Sequence, residues 1–226
     1  MKKNFGFTQF FLLLAVPAAV LFGSFLFRAK AYVFLALCTA VLSCVPFFAR
    51  FEKGRTRTKN LVVLAAMVTL SVAGRSVFAF LPNFKPVTAI VVITGIYLGA
   101  ENGFLCGALS ALLSNFLFGQ GPWTPFQMLA WGLIGLFASS LSALLKKSRA
   151  ALCIYGVFSG VFYSFLLDVF ATLWQDGVFN PERYLALMLT ALPVTAAYAI
   201  SNVIFLLLLS KPIGEKLERI KNKYGL

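Results

Sequence analysis

Long apolar runs separated by short polar segments make up almost the whole chain. A transmembrane helix needs about 20 mainly apolar residues, and the pattern predicts eight such segments, of which the fourth and fifth are clearly shorter. They cover residues 8–27, 31–49, 60–81, 86–99, 103–118, 125–145, 151–174 and 185–210. The pattern therefore predicts an all-α integral membrane protein.

The polar segment RFEKGRTRTKN at 50–60 divides these runs into two groups. Residues 1–58 are predicted to hold a two-helix transmembrane hairpin and a basic loop. Residues 59–210 are predicted to form a six-helix core in the membrane, and residues 211–226 a basic tail. Within the core, GAENG at 99–103 is predicted to be a tight turn between the two short helices.

Composition supports a membrane protein and argues against several other classes. Of the 226 residues, 60% are hydrophobic and 12% are charged, with a mean hydropathy of +0.88, which a soluble domain cannot bury. The chain has no histidine, its four cysteines stand singly, and no P-loop, HExxH or nucleophile-elbow motif is present. We therefore expect no enzyme activity, no metal site and no bound cofactor.

The net charge of +13 has a topological explanation. If the N-terminus is cytoplasmic, most basic residues fall in inner segments, as the positive-inside rule requires. The inner set is Lys2, Lys3, Arg50, Lys53, Arg55, Arg57, Lys59, Lys146, Lys147, Arg149, Lys211, Lys216, Arg219, Lys221 and Lys223, against Arg28, Lys30, Lys85 and Arg183 outside. We expect a multi-pass cell-membrane protein with both termini cytoplasmic, in contact with lipid headgroups and with no nucleic acid as a partner.

Three loops on the predicted outer side combine turn formers with aromatic and amide side chains. They are LPNFKP at 81–86, FGQGPWTPFQ at 118–127 and WQDGVFNPERY at 174–184, whereas the inner connections are plainer. This concentration is typical of a small-molecule site. The alternative is that these residues only mark turns and an interfacial aromatic belt. The candidate ligand-binding residues in these loops are Asn83, Lys85, Gln120, Trp123 and Gln127.

Arg75 and Asp168 are ionisable residues inside predicted membrane helices. Each lies six residues before the outer end of its helix, which places both roughly 9 Å below the outer boundary. An intramembrane charge needs a partner or a function. Two interpretations stay open, a structural ion pair between them and contact with complementary groups of a ligand.

Several other residues suggest contacts between helices or with a ligand. Asn115 and Trp131 are candidate ligand contacts, although packing between helices explains Trp131 equally well. Asn202 is predicted to make a hydrogen bond to another helix. A stripe of small residues lets another helix approach closely, either inside the bundle or from a partner. The stripe consists of Ala65, Thr69 and Ala73.

The core sequence resembles the substrate-binding S components of energy-coupling factor (ECF) vitamin transporters. The resemblance covers about residues 59–210 and rests on GR followed by LPNFKPVTA, and then on GALSALLSNFLFGQGPWTPFQM. It implies capture of a vitamin or vitamin precursor outside the cell. It also implies docking on a transmembrane coupling protein with two cytoplasmic ATPases.

The resemblance also implies a docking face and a class of cargo. Family members dock through alanines four apart on the first core helix, which Ala65 and Ala73 match, while Thr69 stands where a third alanine is expected. The FGQGPWTPFQM region is most similar to members that take cobalamin or its precursors, so a cobalamin-related cargo is expected. From the residues alone, a stand-alone ion-coupled transporter and a noncatalytic membrane scaffold remain alternatives.

Overall fold

Helices make up nearly all of the described part of the chain. The computed structural model describes residues 58–224 together with Cys38 and Val41, both of which are helical. The eight helices of residues 58–224 are α1 (Thr58–Val77), α2 (Val87–Leu98), α3 (Ala100–Phe118), α4 (Thr124–Ser140), α5 (Ser142–Lys147), α6 (Arg149–Asp176), α7 (Pro181–Thr190) and α8 (Leu192–Tyr224). The predicted all-helical class is confirmed for these residues. The predicted N-terminal hairpin lies outside them apart from those two positions.

Three of these helices are long and apolar enough to cross a membrane, namely the Lys59–Val77 part of α1, α6 and α8. By contrast, α2 has only 12 residues, or about 18 Å at 1.5 Å per residue, against a hydrocarbon core of about 30 Å. Its residues from Val87 to Ile96 are all buried, because α1, α3, α4 and α8 pack around it. The short apolar helix is therefore the centre of the bundle, and the membrane location follows from the long helices around it.

The connection between α2 and α3 is shorter than predicted. Gly99 alone separates the two helices and has a φ of 95°, a value that glycine adopts without steric cost. The expected turn at 99–103 is wrong, since α3 begins at Ala100 and Glu101 lies in its first turn. A carboxylate at that position is favourable toward the N-terminal end of the helix dipole.

Two of the predicted core helices are each divided in the structure. The run at 125–145 ends as α4 at Ser140 and resumes as α5 after Leu141. The run at 185–210 becomes α7 and α8 with Ala191 between them. Pro193 lies in the first turn of α8, where its missing N–H removes no intrahelical hydrogen bond. Beyond position 210, α8 continues through Pro212 to Tyr224.

Helix α7 begins inside a segment that was predicted to be an outer loop. Asn180 precedes it, and its side-chain oxygen accepts hydrogen bonds from the backbone N–H groups of Glu182 (3.0 Å) and Arg183 (3.2 Å). Pro181 is its first residue. An asparagine cap followed by proline is a strong helix start, so the NPER sequence nucleates a helix.

Glycines bring α2, α3 and α4 into backbone contact. A Cβ built at Gly135 of α4 would overlap the carbonyl group of Gly103 in α3, and one built at Gly95 of α2 would overlap the carbonyl group of Gly135. Gly107 lies in the same way against the backbone of Trp131. Close approach at small residues is the usual means of packing helices in a membrane. It fixes how α4 faces α2 and thereby positions the side chains described next.

Candidate functional site

A small polar cavity lies where α1, α2, α4, α6 and α8 meet. Its volume is about 50 Å³. The residues that line this polar cavity are Arg75, Lys85, Val87, Thr88, Gln127, Trp131, Tyr163 and Tyr198. They come from five helices and the α1–α2 loop, so the cavity exists only in the assembled bundle.

Arg75 is held by two neutral side chains of α3. Its Nη1 donates to Ser114 Oγ and to Asn115 Oδ1, the latter at 3.0 Å. Ser114 and Asn115 are each 1% exposed. These bonds hold the guanidinium at the wall of the cavity, where Arg75 itself is half-buried.

A chain of hydrogen bonds continues from Asn115 across the bundle. Asn115 Nδ2 donates to Thr124 Oγ1 at 2.9 Å and to Gln127 Oε1 at 2.7 Å. Gln127 Nε2 in turn donates to the Tyr163 hydroxyl at 3.0 Å. Each buried amide therefore has partners, as buried polar groups require, and α3, α4 and α6 are joined by one polar network.

Aromatic rings form another wall of the polar cavity. The rings of Trp131 and Tyr163 stack at 4.9 Å with 25° between their planes, and Tyr198 meets Tyr163 edge-on at 5.2 Å. Trp131 Nε1 donates to Thr88 Oγ1 at 3.2 Å, which fixes the indole. Such rings offer flat apolar surface together with polar groups.

Two cations share this cavity and one aromatic ring. The Arg75 guanidinium lies 4.7 Å from the Phe118 ring centroid and 5.5 Å from that of Trp131. Lys85 Nζ lies 5.2 Å from the Phe118 centroid. Partial burial, and secondarily the charge of Arg75, lower the pKa of Lys85. None of the lining residues is acidic.

The loop that carries Lys85 is fastened to α8. The backbone N–H of Lys85 donates to Ser201 Oγ at 2.9 Å, and the same hydroxyl donates to the Lys85 carbonyl at 3.3 Å. Asn83, two residues earlier, has a φ of 59°, a left-handed conformation that asparagine adopts more readily than most residues. Asn83 therefore serves the turn and does not line the cavity.

The structure brings together some of the sequence-predicted ligand residues and leaves others apart. Arg75, Lys85, Gln127 and Trp131 line the polar cavity, and Asn115 is hydrogen-bonded to two of them. The predicted residues outside its lining are Asn83, Gln120, Trp123 and Asp168.

The ion-pair interpretation of Arg75 and Asp168 is wrong for this structure. Arg75 donates to α3, whereas Asp168 Oδ2 is buried without a hydrogen-bond partner among the described residues. The ion pairs that the described residues form join Lys146 to Glu218 and Arg183 to Asp176. The predicted equal depth is also wrong, because Arg75 lies in the last turn of α1 whereas Asp168 lies eight residues before the end of α6. Neutral acceptors on α3 satisfy the guanidinium instead.

The glycine- and proline-rich loop at 119–123, between α3 and α4, is held by contacts to itself and to these two helices, and none of its residues lines the cavity. Gln120 Nε2 donates to the Leu112 carbonyl at 2.8 Å, and Thr124 Oγ1 donates to Gln120 Oε1 at 2.9 Å. The Trp123 ring lies over Gly121, where a Cβ would overlap it, and Trp123 is 40% exposed. Gln120 thus fastens the loop to α3.

Sequence reasoning missed several residues of the cavity. Tyr163, Tyr198 and Thr88 all stand within predicted apolar runs, and the pattern did not single them out. The available signal was the phenol group, because a tyrosine hydroxyl inside a membrane helix needs a partner.

The predicted hydrogen bond from Asn202 to another helix is confirmed, because its Nδ2 donates to the Gly156 carbonyl of α6 at 3.2 Å.

The stripe of small residues on α1 faces outward. Ala65, Thr69 and Ala73 are all exposed, as are the neighbouring Leu61, Val62 and Leu70. The alternative that this stripe packs inside the bundle is therefore wrong for the described residues. An apolar helix face of this kind meets lipid or a partner helix.

A protein-family model matches most of the chain. The family model described as "ECF-type riboflavin transporter, S component" matches residues 55–215. No curated protein and no solved structure shows a significant match to the chain. The matched range contains α1 to α7, most of α8 and the whole polar cavity. The match does not support the cobalamin-related cargo that the FGQGPWTPFQM region suggested.

Proposed function

Since the chain belongs to the family of ECF-type riboflavin transporter S components, we propose that it captures a flat vitamin or vitamin precursor at the polar cavity. It is the substrate-specific component of an ECF transporter, a family of transport components that are generally not catalytic. In the proposed cycle, cargo enters from the outer side. The transmembrane coupling protein and its two ATPases then drive its release inward.

The observation that carries this proposal is the aromatic stack beside hydrogen-bonding groups. Trp131 and Tyr163 present stacked rings, and Gln127, Thr88 and Arg75 surround them with donors and acceptors. A heterocycle of the riboflavin type needs both kinds of contact, apolar faces for its rings and polar groups for its edge.

The size of the cavity indicates that the site widens to admit cargo. Pockets for small molecules measure about 300–1,000 Å³, whereas this cavity measures about 50 Å³. The segment best placed to move is 118–123, because Phe118 covers both cations and its side chain is exposed. We propose that this segment acts as a lid, which gives Gln120 and Trp123 an indirect part in binding.

The test is binding and transport with and without partners. The purified chain alone is expected to bind a riboflavin-type ligand tightly, as measured by equilibrium titration in nanodiscs. Uptake into liposomes is expected only when the coupling protein, both ATPases and ATP are present. Uptake driven by an ion gradient without ATPases would instead support a secondary transporter, and neither ligand nor flux would support a scaffold.

Gln127→Ala is expected to weaken ligand binding about fivefold to a hundredfold. Gln127 lines the cavity, and without its amide a polar group of the bound cargo lacks a hydrogen-bond partner, which costs about 1–3 kcal/mol. Gln120→Ala is the matched control, since that amide is exposed, donates to the Leu112 carbonyl of α3 and does not line the cavity; we expect less than about a threefold change. Equilibrium titration of both variants with the ligand measures the two changes in affinity. A larger loss from Gln120→Ala than from Gln127→Ala would show that binding depends more on the 118–123 segment than on the amide that lines the cavity.

Ala65→Trp is expected to spare ligand binding and to lower ATP-driven uptake about tenfold or more. Ala65 is exposed on α1, and overpacking a close helix contact costs about 1–3 kcal/mol. Ile154→Trp is the control, because Ile154 is 70% exposed on α6 and lies away from the stripe. Equal uptake in the two variants would mean that the coupling protein docks elsewhere.

A further inference from the structure

We infer that the cargo carries an anionic group, a carboxylate or a phosphate ester, which Arg75 and Lys85 bind together. The inference rests on the proposed function, in that the polar cavity is taken as the cargo site. It adds the charge of the cargo, which membership of the family does not specify. Two features of the cavity support it, namely the charges of Arg75 and Lys85 and the hydrogen-bond donors that these side chains leave unused.

Both cations face one small space. Arg75 and Lys85 line the same cavity of about 50 Å³ and approach the same Phe118 ring, at 4.7 and 5.2 Å from its centroid. Each is half-buried. An aromatic face offsets a cation by about 0.5–2 kcal/mol but carries no net charge, so two like charges remain close together.

No carboxylate of the described residues neutralises them. The lining residues include no aspartate or glutamate, and the side-chain hydrogen bonds of Arg75 go to the neutral groups of Ser114 and Asn115. Asp168 is not part of the lining. The tyrosines that face the cavity, Tyr163 and Tyr198, are neutral near physiological pH.

Donor groups remain unused on both side chains. The two hydrogen bonds of Arg75 both come from Nη1, and Lys85 is hydrogen-bonded to the described residues through its backbone N–H and C=O alone. The Nη2 and Nε groups of Arg75 and the ammonium group of Lys85 are therefore available. A guanidinium fork and an ammonium group bind carboxylate or phosphate oxygens through short charge-assisted hydrogen bonds.

The size of the cavity suits one such group. At about 30 Å³ per water molecule, a volume of about 50 Å³ holds one or two waters and no ring system. A neutral cargo would leave two half-buried charges uncompensated, which is costly in a membrane. An anionic substituent inserted between Arg75 and Lys85 removes that cost, while the rings of the cargo occupy the space that lid movement opens.

The test compares riboflavin with riboflavin 5′-phosphate, which differ in one phosphate group. We expect the phosphate ester to bind about tenfold or more tightly than the neutral parent to the full chain in nanodiscs. Lys85→Gln is expected to reduce this ratio about tenfold. The variant keeps the loop in place, because Lys85 is hydrogen-bonded to Ser201 through its backbone atoms.

Arg183→Gln is the control for Lys85→Gln, since Arg183 is a predicted outer cation paired with Asp176. It should leave the ratio of the two affinities unchanged. Equal or tighter binding of the neutral form, with a ratio that Lys85→Gln does not change, would overturn the inference.

A second measurement separates failure of the inference from failure of the proposed function. Inorganic phosphate, at an ionic strength matched with chloride, is expected to raise the thermal midpoint of the wild-type chain but not that of Lys85→Gln. If phosphate does so while neither flavin binds, the anion site stands and the flavin-type cargo is rejected. If flavins bind regardless of charge and phosphate has no effect, the proposed function stands and the inference is rejected. If neither flavin nor phosphate acts, both are rejected.

Discussion

Arg75→Leu is expected to lower the affinity for cargo about a hundredfold or more. The guanidinium is held by Ser114 and Asn115 at the wall of the polar cavity, and a hydrogen bond to a charged group contributes about 1.5–3 kcal/mol. Loss of two such bonds to the cargo exceeds 2.7 kcal/mol, which corresponds to about a hundredfold in the dissociation constant. Equilibrium titration of the cargo against the wild-type chain and the variant gives the ratio directly.

Two further variants separate a binding role of Arg75 from a structural one. Arg75→Lys keeps the charge and loses the fork, so we expect an affinity between those of the wild type and Arg75→Leu. Asp168→Asn is expected to add independently to Arg75→Leu in thermal stability, because the two residues are not paired in the structure. Wild-type affinity in Arg75→Leu would show that Arg75 does not bind the cargo. A double variant whose loss of thermal stability differs strongly from the sum of the single losses would support the ion pair between Arg75 and Asp168.

Four of the eight residues that line the cavity were predicted from the sequence, namely Arg75, Lys85, Gln127 and Trp131. Arg75, Gln127 and Asn115 were singled out because a polar side chain within a membrane helix is costly unless it has a partner or a function. All three belong to the hydrogen-bonded network at the cavity. Tyr163 and Tyr198, which also line the cavity, were not singled out, because a hydrophobic pattern counts tyrosine as apolar on account of its ring and ignores its hydroxyl group. The pattern therefore identifies charged and amide side chains as site candidates far better than it identifies tyrosines.

The sequence could not predict which side chains contact one another, for a geometric reason. Residue spacing gives depth along a helix only when the helix end is known. It put Arg75 and Asp168 each six residues before a helix end, whereas Arg75 lies in the last turn of α1 and Asp168 lies eight residues before the end of α6. It gives neither the rotation of each helix nor the order in which helices pack. These depend on contacts such as Gly103 against Gly135, which join residues far apart in the chain.

Helix ends were predicted well where local chemistry marks them and poorly elsewhere. The start of α2 after Pro86 and the end of α3 at Gly119 follow proline and glycine signals. The break at Leu141 has no such signal, because an ordinary apolar residue stands between α4 and α5. The last helix was predicted to end at 210, where the basic tail begins, whereas α8 continues through Pro212 to Tyr224.

Gly135→Leu is expected to lower the stability of the bundle by about 3 kcal/mol or more. Even a single Cβ at position 135 would overlap the carbonyl group of Gly103, and backbone cannot move aside as a flexible side chain does. Overpacking costs about 1–3 kcal/mol and sometimes more; at about 2–4 °C per kcal/mol for a chain of this size, the thermal midpoint should fall by about 6–12 °C. Ligand binding should fall as well, since Gln127 and Trp131 stand on the same helix. Thermal unfolding in detergent, with size-exclusion chromatography, measures the effect.

Ser140→Leu is the matched control for Gly135→Leu. It adds a leucine side chain to the same helix at an exposed position, where a substitution is usually within about 0.5 kcal/mol of neutral. The two variants therefore separate the volume of a leucine from the place where it is inserted. A midpoint for Gly135→Leu within about 2 °C of the Ser140→Leu value would show that α3 and α4 separate at low cost. In that case the glycine contact would not be what orients Trp131 and Gln127 toward α2, and the position of the cavity would have to depend on the polar network from Asn115 to Tyr163 instead.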